Sequence, residues 1–235
     1  VRGAQKWMSS AFTSVSQDSP SALQSFIPAG FTLGTDSGQY GVNASGVDYV
    51  AWNWYAPTSE SIGASGSRIA STVKKNVDAG FSVVGYTAGS STSQSIGHGL
   101  GVSPKLVLIK KTSATENWIV WYEGAGTTNF LELNQSSSTQ TGAGWGGVPT
   151  TEVVHLQDND ASRSSGNGAS YVAYCFADIA GYQRISTYTG TGNAGLVVDV
   201  GFTPSFLLVK RIDSGGQAGA RGWFLLDNKR NTSNP

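Results

Sequence analysis

The chain has 235 residues, a formal net charge of zero and only 13% charged residues, which is about half the usual share. Nucleic acids and anionic membranes attract proteins through clusters of Lys and Arg. No such cluster occurs, so we expect neither as a partner. No apolar run approaches the roughly twenty residues of a membrane span, which argues against membrane insertion. Nine Tyr, nine Phe and seven Trp supply the apolar side chains that disordered chains lack.

From the N-terminus onward, most of the chain alternates with the period of two that is typical of β-strands. Residues 49–54 form the first such run, and Val50, Trp52 and Trp54 share a face that we expect to meet a core. Removing the Trp52 ring is then expected to cost about 3 to 5 kcal/mol. Comparable runs follow at residues 81–86, 106–109, 118–122, 171–176, 196–200, 206–209 and 223–226.

Turn residues separate these runs about every ten residues, as at residues 190–193. Many short strands at this spacing are typical of a sandwich or barrel. Only residues 69–77 also permit a helix, because Ile69, Val73 and Val77 are spaced by four. The sequence therefore predicts an all-β fold made of antiparallel β-sandwich units.

The sequence also repeats itself. Residues 49–54 (YVAWNW) recur as residues 171–176 (YVAYCF), an offset of 171 − 49 = 122, whereas Pro104 recurs as Pro204, an offset of 100. The first copy therefore carries about twenty extra residues near 56–78. We predict two tandem pseudo-repeats, residues 1–124 and 125–235, in which the YVAWNW and YVAYCF segments occupy equivalent strands.

Few residues are suited to catalysis. His98 and His155 are the only histidines, and the repeat sets them opposite Val198 and Thr32, so neither recurs. Cys175 lies in an alternating apolar run, where a small core residue is favoured over a nucleophile. Because the spacings typical of metalloproteases, serine hydrolases and nucleotide-binding loops are missing, we expect no enzyme and no cofactor.

Two acidic patterns leave weaker alternatives open. Asp158, Asn159 and Asp160 offer oxygen ligands of the kind that calcium prefers, although such clusters are more often plain turns. A polysaccharide depolymerase would need two carboxylates across a sugar. Glu123 aligns near Asp227, but most acids of this chain are expected to be solvated loop residues.

Two aromatic residues in Gly-rich loops are candidate ligand-binding residues. Trp145 lies in residues 142–147 and Tyr40 in residues 37–41, and neither has a periodic strand around it. A flat amphipathic ring on a loop can stack on a sugar or anchor a protein interface. The alternative is that each ring folds back over the end of a strand, as Trp is highly buried on average.

Several phrases of the sequence resemble a known family. They are residues 30–34 (GFTLG), 42–46 (VNASG), 79–87 (AGFSVVGYT) and 97–104 (GHGLGVSP), together with the YVAWNW segment. They resemble a β-rich domain without assigned activity in tail-fibre and other structural proteins of tailed bacteriophages. The resemblance covers nearly the whole chain and contains no catalytic motif. It implies a virion protein made in the host cytoplasm, trimeric as many fibres are, that adheres to the host surface.

The sequence thus predicts a virion structural protein, a tail-fibre module for host-surface receptor binding. Its expected partners are other virion proteins and a host cell-surface glycan or protein. Two alternatives stay open at this stage. One is a capsid decoration or tail-adaptor protein that assembles without a ligand, and the other is the polysaccharide depolymerase.

Overall fold

The computed structural model describes residues 5–19, 22–35, 41–142, 145–157, 163–213 and 222–228. These residues form seventeen β-strands and no helix, so the predicted all-β class is confirmed. Every strand pair is antiparallel except that of residues 68–69 with residues 95–96. The helical alternative for residues 69–77 is wrong, because residues 71–76 form a strand that pairs on both sides.

The strands are short and follow one another closely along the chain. In chain order they are β1 (Lys6–Trp7), β2 (Gln17–Asp18), β3 (Leu23–Ile27), β4 (Gly30–Leu33), β5 (Thr58–Ile62), β6 (Arg68–Ile69), β7 (Ser71–Asn76), β8 (Phe81–Thr87), β9 (Ser93–Gly97), β10 (Leu106–Lys111), β11 (Ile119–Tyr122), β12 (Asn129–Glu132), β13 (Gln140–Thr141), β14 (Val153–Gln157), β15 (Ser170–Phe176), β16 (Phe206–Lys210) and β17 (Trp223–Asp227).

One eight-stranded sheet organises the molecule, in the order β13-β12-β11-β10-β15-β8-β7-β5. A second sheet, β14-β9-β6, lies against it, and the two share one core. Ile96 and Val154 are cross-strand partners in the smaller sheet and pack in the same cluster as Val107 and Ile109 of the larger one. Because this arrangement buries one face of each sheet, it is a β-sandwich. We call residues 58–183, which contain both sheets, the central domain.

The central strand β15 pairs with β10 on one side and β8 on the other. Its core face carries Tyr171, Ala173 and Cys175, not the larger residues that alternate with them. Ala173 lies between the cross-strand partners Ile109 and Val84, both fully buried. Two β-branched neighbours leave room for only a small side chain at this position.

The outer face of the large sheet is covered in part by the beginning of the chain. The Trp118 indole N–H donates to the carbonyl of Ser9 at 2.8 Å, and the Lys110 ammonium donates to that of Thr13 at 3.1 Å. The Glu116 N–H donates to the same Thr13 carbonyl at 3.0 Å. The Lys110 side chain is buried by this cover, and burial lowers its pKa to about 8.

The two predicted units do not form separate sheets. Strand β15, from the second unit, lies between β10 and β8, both from the first. The YVAWNW and YVAYCF segments are not equivalent in the structure. Residues 170–176 form β15, whereas residues 49–54 form no strand. The prediction of equivalent strands is therefore wrong, and so is the prediction that Trp52 lies in a core, because its side chain is 44% exposed.

Two hairpins outside the central domain repeat hairpins within it. In β10–β11, Val107 pairs with Trp121 and Ile109 with Ile119. In β16–β17, Leu207 pairs with Leu226 and Val209 with Phe224. The offset is 100 in the first strand (207 − 107) and 105 in the second (226 − 121), so the cross-strand register is identical.

The second repeated hairpin is N-terminal. In β12–β13, Asn129 pairs with Thr141, and in β1–β2, Lys6 pairs with Asp18. Both residues of the pair are displaced by 123 (129 − 6 and 141 − 18), so this register is also conserved between the two hairpins. We call residues 5–57 the N-terminal region and residues 184–228 the C-terminal region.

No helix long and apolar enough to cross a membrane occurs in the part of the chain that the structure describes.

Candidate functional site

Exposed apolar side chains are concentrated outside the central domain. Among the described residues of that domain, the large apolar side chains in the exposed class are those of Val77, Val102, Val148 and Tyr182. The terminal regions expose many more, including Val50, Trp52, Trp54, Tyr55, Leu196, Val197, Phe206, Leu207, Phe224 and Leu226. Clustered exposure of this kind is typical of interaction surfaces, whereas single exposed apolar residues occur on any protein.

One group of aromatic rings lies where the N-terminal region meets the end of the large sheet. Phe81 and Phe176 are cross-strand partners with ring centroids 5.0 Å apart. The Trp54 ring lies 6.0 Å from each of them. These separations are those of favourable aromatic pairs, so the two phenylalanines fix the end of the N-terminal region against the central domain.

Two tyrosines next to this group are the most exposed of its aromatic residues. Tyr55 follows Trp54 directly and is 75% exposed, and Tyr182 is 60% exposed. The Tyr182 N–H donates to the carbonyl of Ile179 at 3.0 Å in a tight turn. A side chain at Gly80, beside Phe81, would meet Ile179 within 2.8 Å, so this turn lies against the same end of the sheet. We call Trp54, Tyr55, Phe81, Phe176 and Tyr182 the aromatic end.

Polar contacts hold the Tyr182 turn in place. The Asp178 carboxylate accepts from the Arg184 guanidinium at 2.9 Å and from the Ile185 N–H at 2.8 Å. The Gln183 amide donates to the carbonyl of Ala177 at 2.7 Å. The turn is thus tied to the end of β15 on both sides of Tyr182, which presents the phenol ring to solvent on a fixed support. Rings held in this way can stack on a flat sugar face with little loss of conformational entropy.

The two residues predicted as ligand-binding from the sequence are placed differently. Trp145 is 1% exposed and belongs to the core of the sandwich. Its ring cannot stack on a ligand from solvent, so the alternative of a ring folded back over the strands matches its position. The ring cannot reach a ligand because the indole is buried between the two sheets. Tyr40 lies outside the described residues, and its role stays a prediction.

His98 is a structural residue. It directly follows β9 and is fully buried. Its Nε2 donates to the carbonyl of Thr150 at 3.1 Å, and its Nδ1 accepts from the Leu100 N–H at 3.3 Å. These contacts require the neutral tautomer. Desolvation by burial is the main cause that lowers its pKa to about 4.

Cys175 is fully buried in β15, which confirms the predicted core position. Burial raises the pKa of its thiol to about 12. The thiolate is the reactive form of cysteine, so this side chain is inert at neutral pH.

Several carboxylates that the structure describes accept hydrogen bonds or form ion pairs. Glu123 forms an ion pair with Lys105. Glu132 accepts from the Asn117 amide at 2.7 Å and lies 4.0 Å from the Arg163 guanidinium, which also lies 3.9 Å from Glu116. These contacts brace the loops at the edge of the large sheet, a structural role.

A metal site finds no support among the described residues, where no group of three His, Cys, Asp or Glu side chains is close enough to hold an ion. The predicted calcium ligands Asp158, Asn159 and Asp160 lie outside the described residues, so that alternative stays a prediction.

The sequence contains a signal for Tyr182 as well. The ring lies beside Gly181 in a short turn, and neighbouring glycines also led to the prediction of Tyr40 and Trp145. No signal of this kind exists for Tyr55. Its exposure follows from the position of Trp54 on the phenylalanine pair, a tertiary contact.

A family model described as a domain of unknown function, DUF7483, matches residues 1–235, and the chain belongs to that family. No curated protein and no solved structure matches the chain.

Proposed function

We propose that the protein is a structural module of a bacteriophage virion. The family to which the chain belongs has no assigned activity. In this proposal the protein is carried in a tail fibre and binds a host cell-surface glycan or protein through the aromatic end. It is made in the host cytoplasm, assembles with other virion proteins, and catalyses no reaction.

The observation that carries the binding proposal is the exposure of Tyr55 and Tyr182 on a fixed support at one end of the sandwich. Loops at the end of a rigid β-scaffold are common sites of recognition, because the scaffold fixes their position while their sequence can vary. The charge-poor, amide- and hydroxyl-rich composition suits a neutral ligand such as a glycan. The resemblance to phage fibre domains supports the location in the virion.

The binding proposal is tested with the double substitution Tyr55→Ala and Tyr182→Ala. Wild type is expected to bind a subset of bacterial envelope glycans on an array and to bind cells that carry them. Loss of each ring is expected to weaken binding about three- to tenfold, the worth of one aromatic contact. A matched control is Phe12→Ala, an exposed aromatic residue beside Thr13, near the opposite end of β10.

Wild type that binds no envelope glycan and no host cell would contradict the proposal. Binding that is lost equally in the Phe12→Ala control would also contradict it, because the loss would then not report on the aromatic end.

A second candidate function is favoured by a different observation. The hairpin β16–β17 exposes apolar side chains on both strands, which suits a capsid decoration or tail-adaptor protein that assembles without a ligand. Tight binding to capsid or tail particles, together with no binding to any glycan, would favour this candidate over receptor binding.

A further inference from the structure

Some strand pairs of the central domain have both of their counterparts in the same terminal region, and these counterparts pair with each other. The counterparts of β12 and β13 are β1 and β2, both N-terminal, and they pair. The counterparts of β10 and β11 are β16 and β17, both C-terminal, and they pair as well. The hairpins β1–β2 and β16–β17 thus reproduce, each within one terminal region, two strand pairs of the central domain.

Pairs that would join one terminal region to the other are not formed in the described structure. In the central domain, β15 pairs with β10. The counterpart of β15 is residues 49–54, which form no strand, and the counterpart of β10 is β16, in the other region. Similarly, β14 pairs with β9. The counterpart of β14 is β4 (153 − 30 = 123), and the counterpart of β9 is residues 193–197, again without a strand.

The missing pairs leave core positions exposed. Val107, Ile119 and Trp121 are buried in β10–β11, under the strands of the smaller sheet. In β16–β17 the equivalent side chains of Leu207 and Phe224 are each 48% exposed, and that of Leu226 is 53% exposed. A hairpin of this composition needs a cover to be stable in water.

We propose that the N-terminal region of one copy of this chain docks on the C-terminal region of a second copy, and that together they form a domain built like the central one. The inference stands on the repeated strand registers and does not depend on host binding.

The strand register between the two docked regions is expected to follow that of the central domain. Phe176 pairs with Leu106, so Trp54 of one copy is opposite Phe206 of the other (176 − 54 = 122 and 206 − 106 = 100). By the same offsets, Trp52 is opposite Leu208. In the smaller sheet, Val154 pairs with Ile96, so Phe31 is opposite Leu196.

The partner is a second copy because a single chain contains both regions and leaves them unpaired. Within one chain the Trp52 ring reaches the edge of the Phe206 ring, with centroids 5.9 Å apart, but residues 49–54 form no strand beside β16. Docking an N-terminal region on a C-terminal region joins two different surfaces. Contacts of this kind leave a free surface at each end, so they build open chains or filaments.

Sedimentation velocity of the full chain over a range of concentrations tests the proposal. Wild type is expected to form dimers and longer species in growing proportion as concentration rises. Leu207→Asp places a charge in the docking face of β16–β17, and Ala51→Pro removes an N–H that strand pairing needs. Neither position is buried, so both variants are expected to keep the circular dichroism of wild type and to sediment as monomers.

Mixing the two variants gives the sharper result. The Leu207→Asp copy keeps an intact N-terminal region, and the Ala51→Pro copy keeps an intact C-terminal region. An equimolar mixture is therefore expected to form dimers and nothing longer. Val148→Asp, an exposed apolar position of the central domain, is the control for added charge and is expected to assemble like wild type.

Three results would overturn the proposal. The first is wild type that stays monomeric at every concentration. Pairing of the two terminal regions within one chain would give this result. The second is assembly that persists in both single variants. The third is a mixture that stays monomeric although wild type assembles.

Discussion

The hairpins β10–β11 and β16–β17 have the same cross-strand register and a similar apolar sequence, yet one is buried and the other exposed. β10–β11 continues into β15 on one side and is covered by the smaller sheet. β16–β17 forms a two-stranded sheet. The local sequence therefore specifies a hairpin and its register, whereas the burial of the hairpin depends on strands that lie elsewhere in the chain or in another copy.

The comparison is tested most strongly by truncating the same position in both hairpins. Ile119→Ala is expected to lower the free energy of unfolding by about 2 to 5 kcal/mol, because it leaves a cavity in the core. Phe224→Ala, at the equivalent position, removes a larger side chain. In the monomer it is expected to cost less than about 1 kcal/mol, because that ring is half exposed. Denaturant unfolding at low protein concentration measures both, and equal losses would contradict the difference in burial.

The pH dependence of stability tests the burial of His98, whose counterpart Val198 is exposed. The pKa of His98 is about 4 in the folded state, below the ordinary value of 6.5 for histidine. As pH falls from 6.5 to 4, the unfolded state binds a proton that the folded state does not. Stability is therefore lost over this window, by about 3 kcal/mol in full.

The control for this prediction is His98→Gln, whose amide can replace both hydrogen bonds without titrating. Carboxylates contribute equally to both proteins, so wild type is expected to lose more stability than the variant between pH 7 and pH 4. Identical losses would show that His98 is not desolvated.

A comparison of two glycines in similar sequences separates the cost of an unfavourable backbone conformation from the cost of a steric clash. Gly80 and Gly181 each lie between an alanine and an aromatic residue, and both have positive φ angles, 61° and 73°. A Cβ at Gly80 would also lie 2.7 Å from the Ala177 carbonyl oxygen, whereas one at Gly181 would meet nothing within 4 Å. Gly181→Ala is expected to cost about 1 kcal/mol, and Gly80→Ala clearly more. Thermal unfolding that ranks them in the opposite order would contradict the packing of Gly80.

The smallest expected effect belongs to Trp52→Ala. The sequence predicted a loss of about 3 to 5 kcal/mol for a core position. With its side chain exposed and a single aromatic contact to Phe206, the substitution is expected to cost about 1 kcal/mol in the monomer. A loss of the larger size in dilute protein would mean that residues 49–54 are already buried within one chain.

Local pattern was sufficient for much of the fold. The runs that became β8, β10, β11, β15, β16 and β17 were all predicted, because β-branched and aromatic residues alternate there between turn residues. Residues 49–54 have the same pattern but form no strand, since a strand needs a partner at its edge and alternation does not reveal whether one is present.

The candidate site was harder to predict. Trp145 and Tyr182 both follow glycines in loops, but one ring is buried between the sheets and the other projects into solvent. The difference arises from how each loop packs on the sandwich, which involves residues far away in sequence. The exposure of Tyr55 depends in the same way on the contact of Trp54 with Phe81 and Phe176.

Backbone amide hydrogen exchange, measured in dilute and in concentrated protein, tests directly whether β16–β17 is an uncovered copy of β10–β11. We expect the amides of β10 and β11 to be protected at both concentrations. Those of β16, β17 and residues 49–54 are expected to exchange rapidly in dilute protein and to become protected together on concentration. Equal protection of the two hairpins in the dilute monomer, or no gain on concentration, would contradict this view of the molecule.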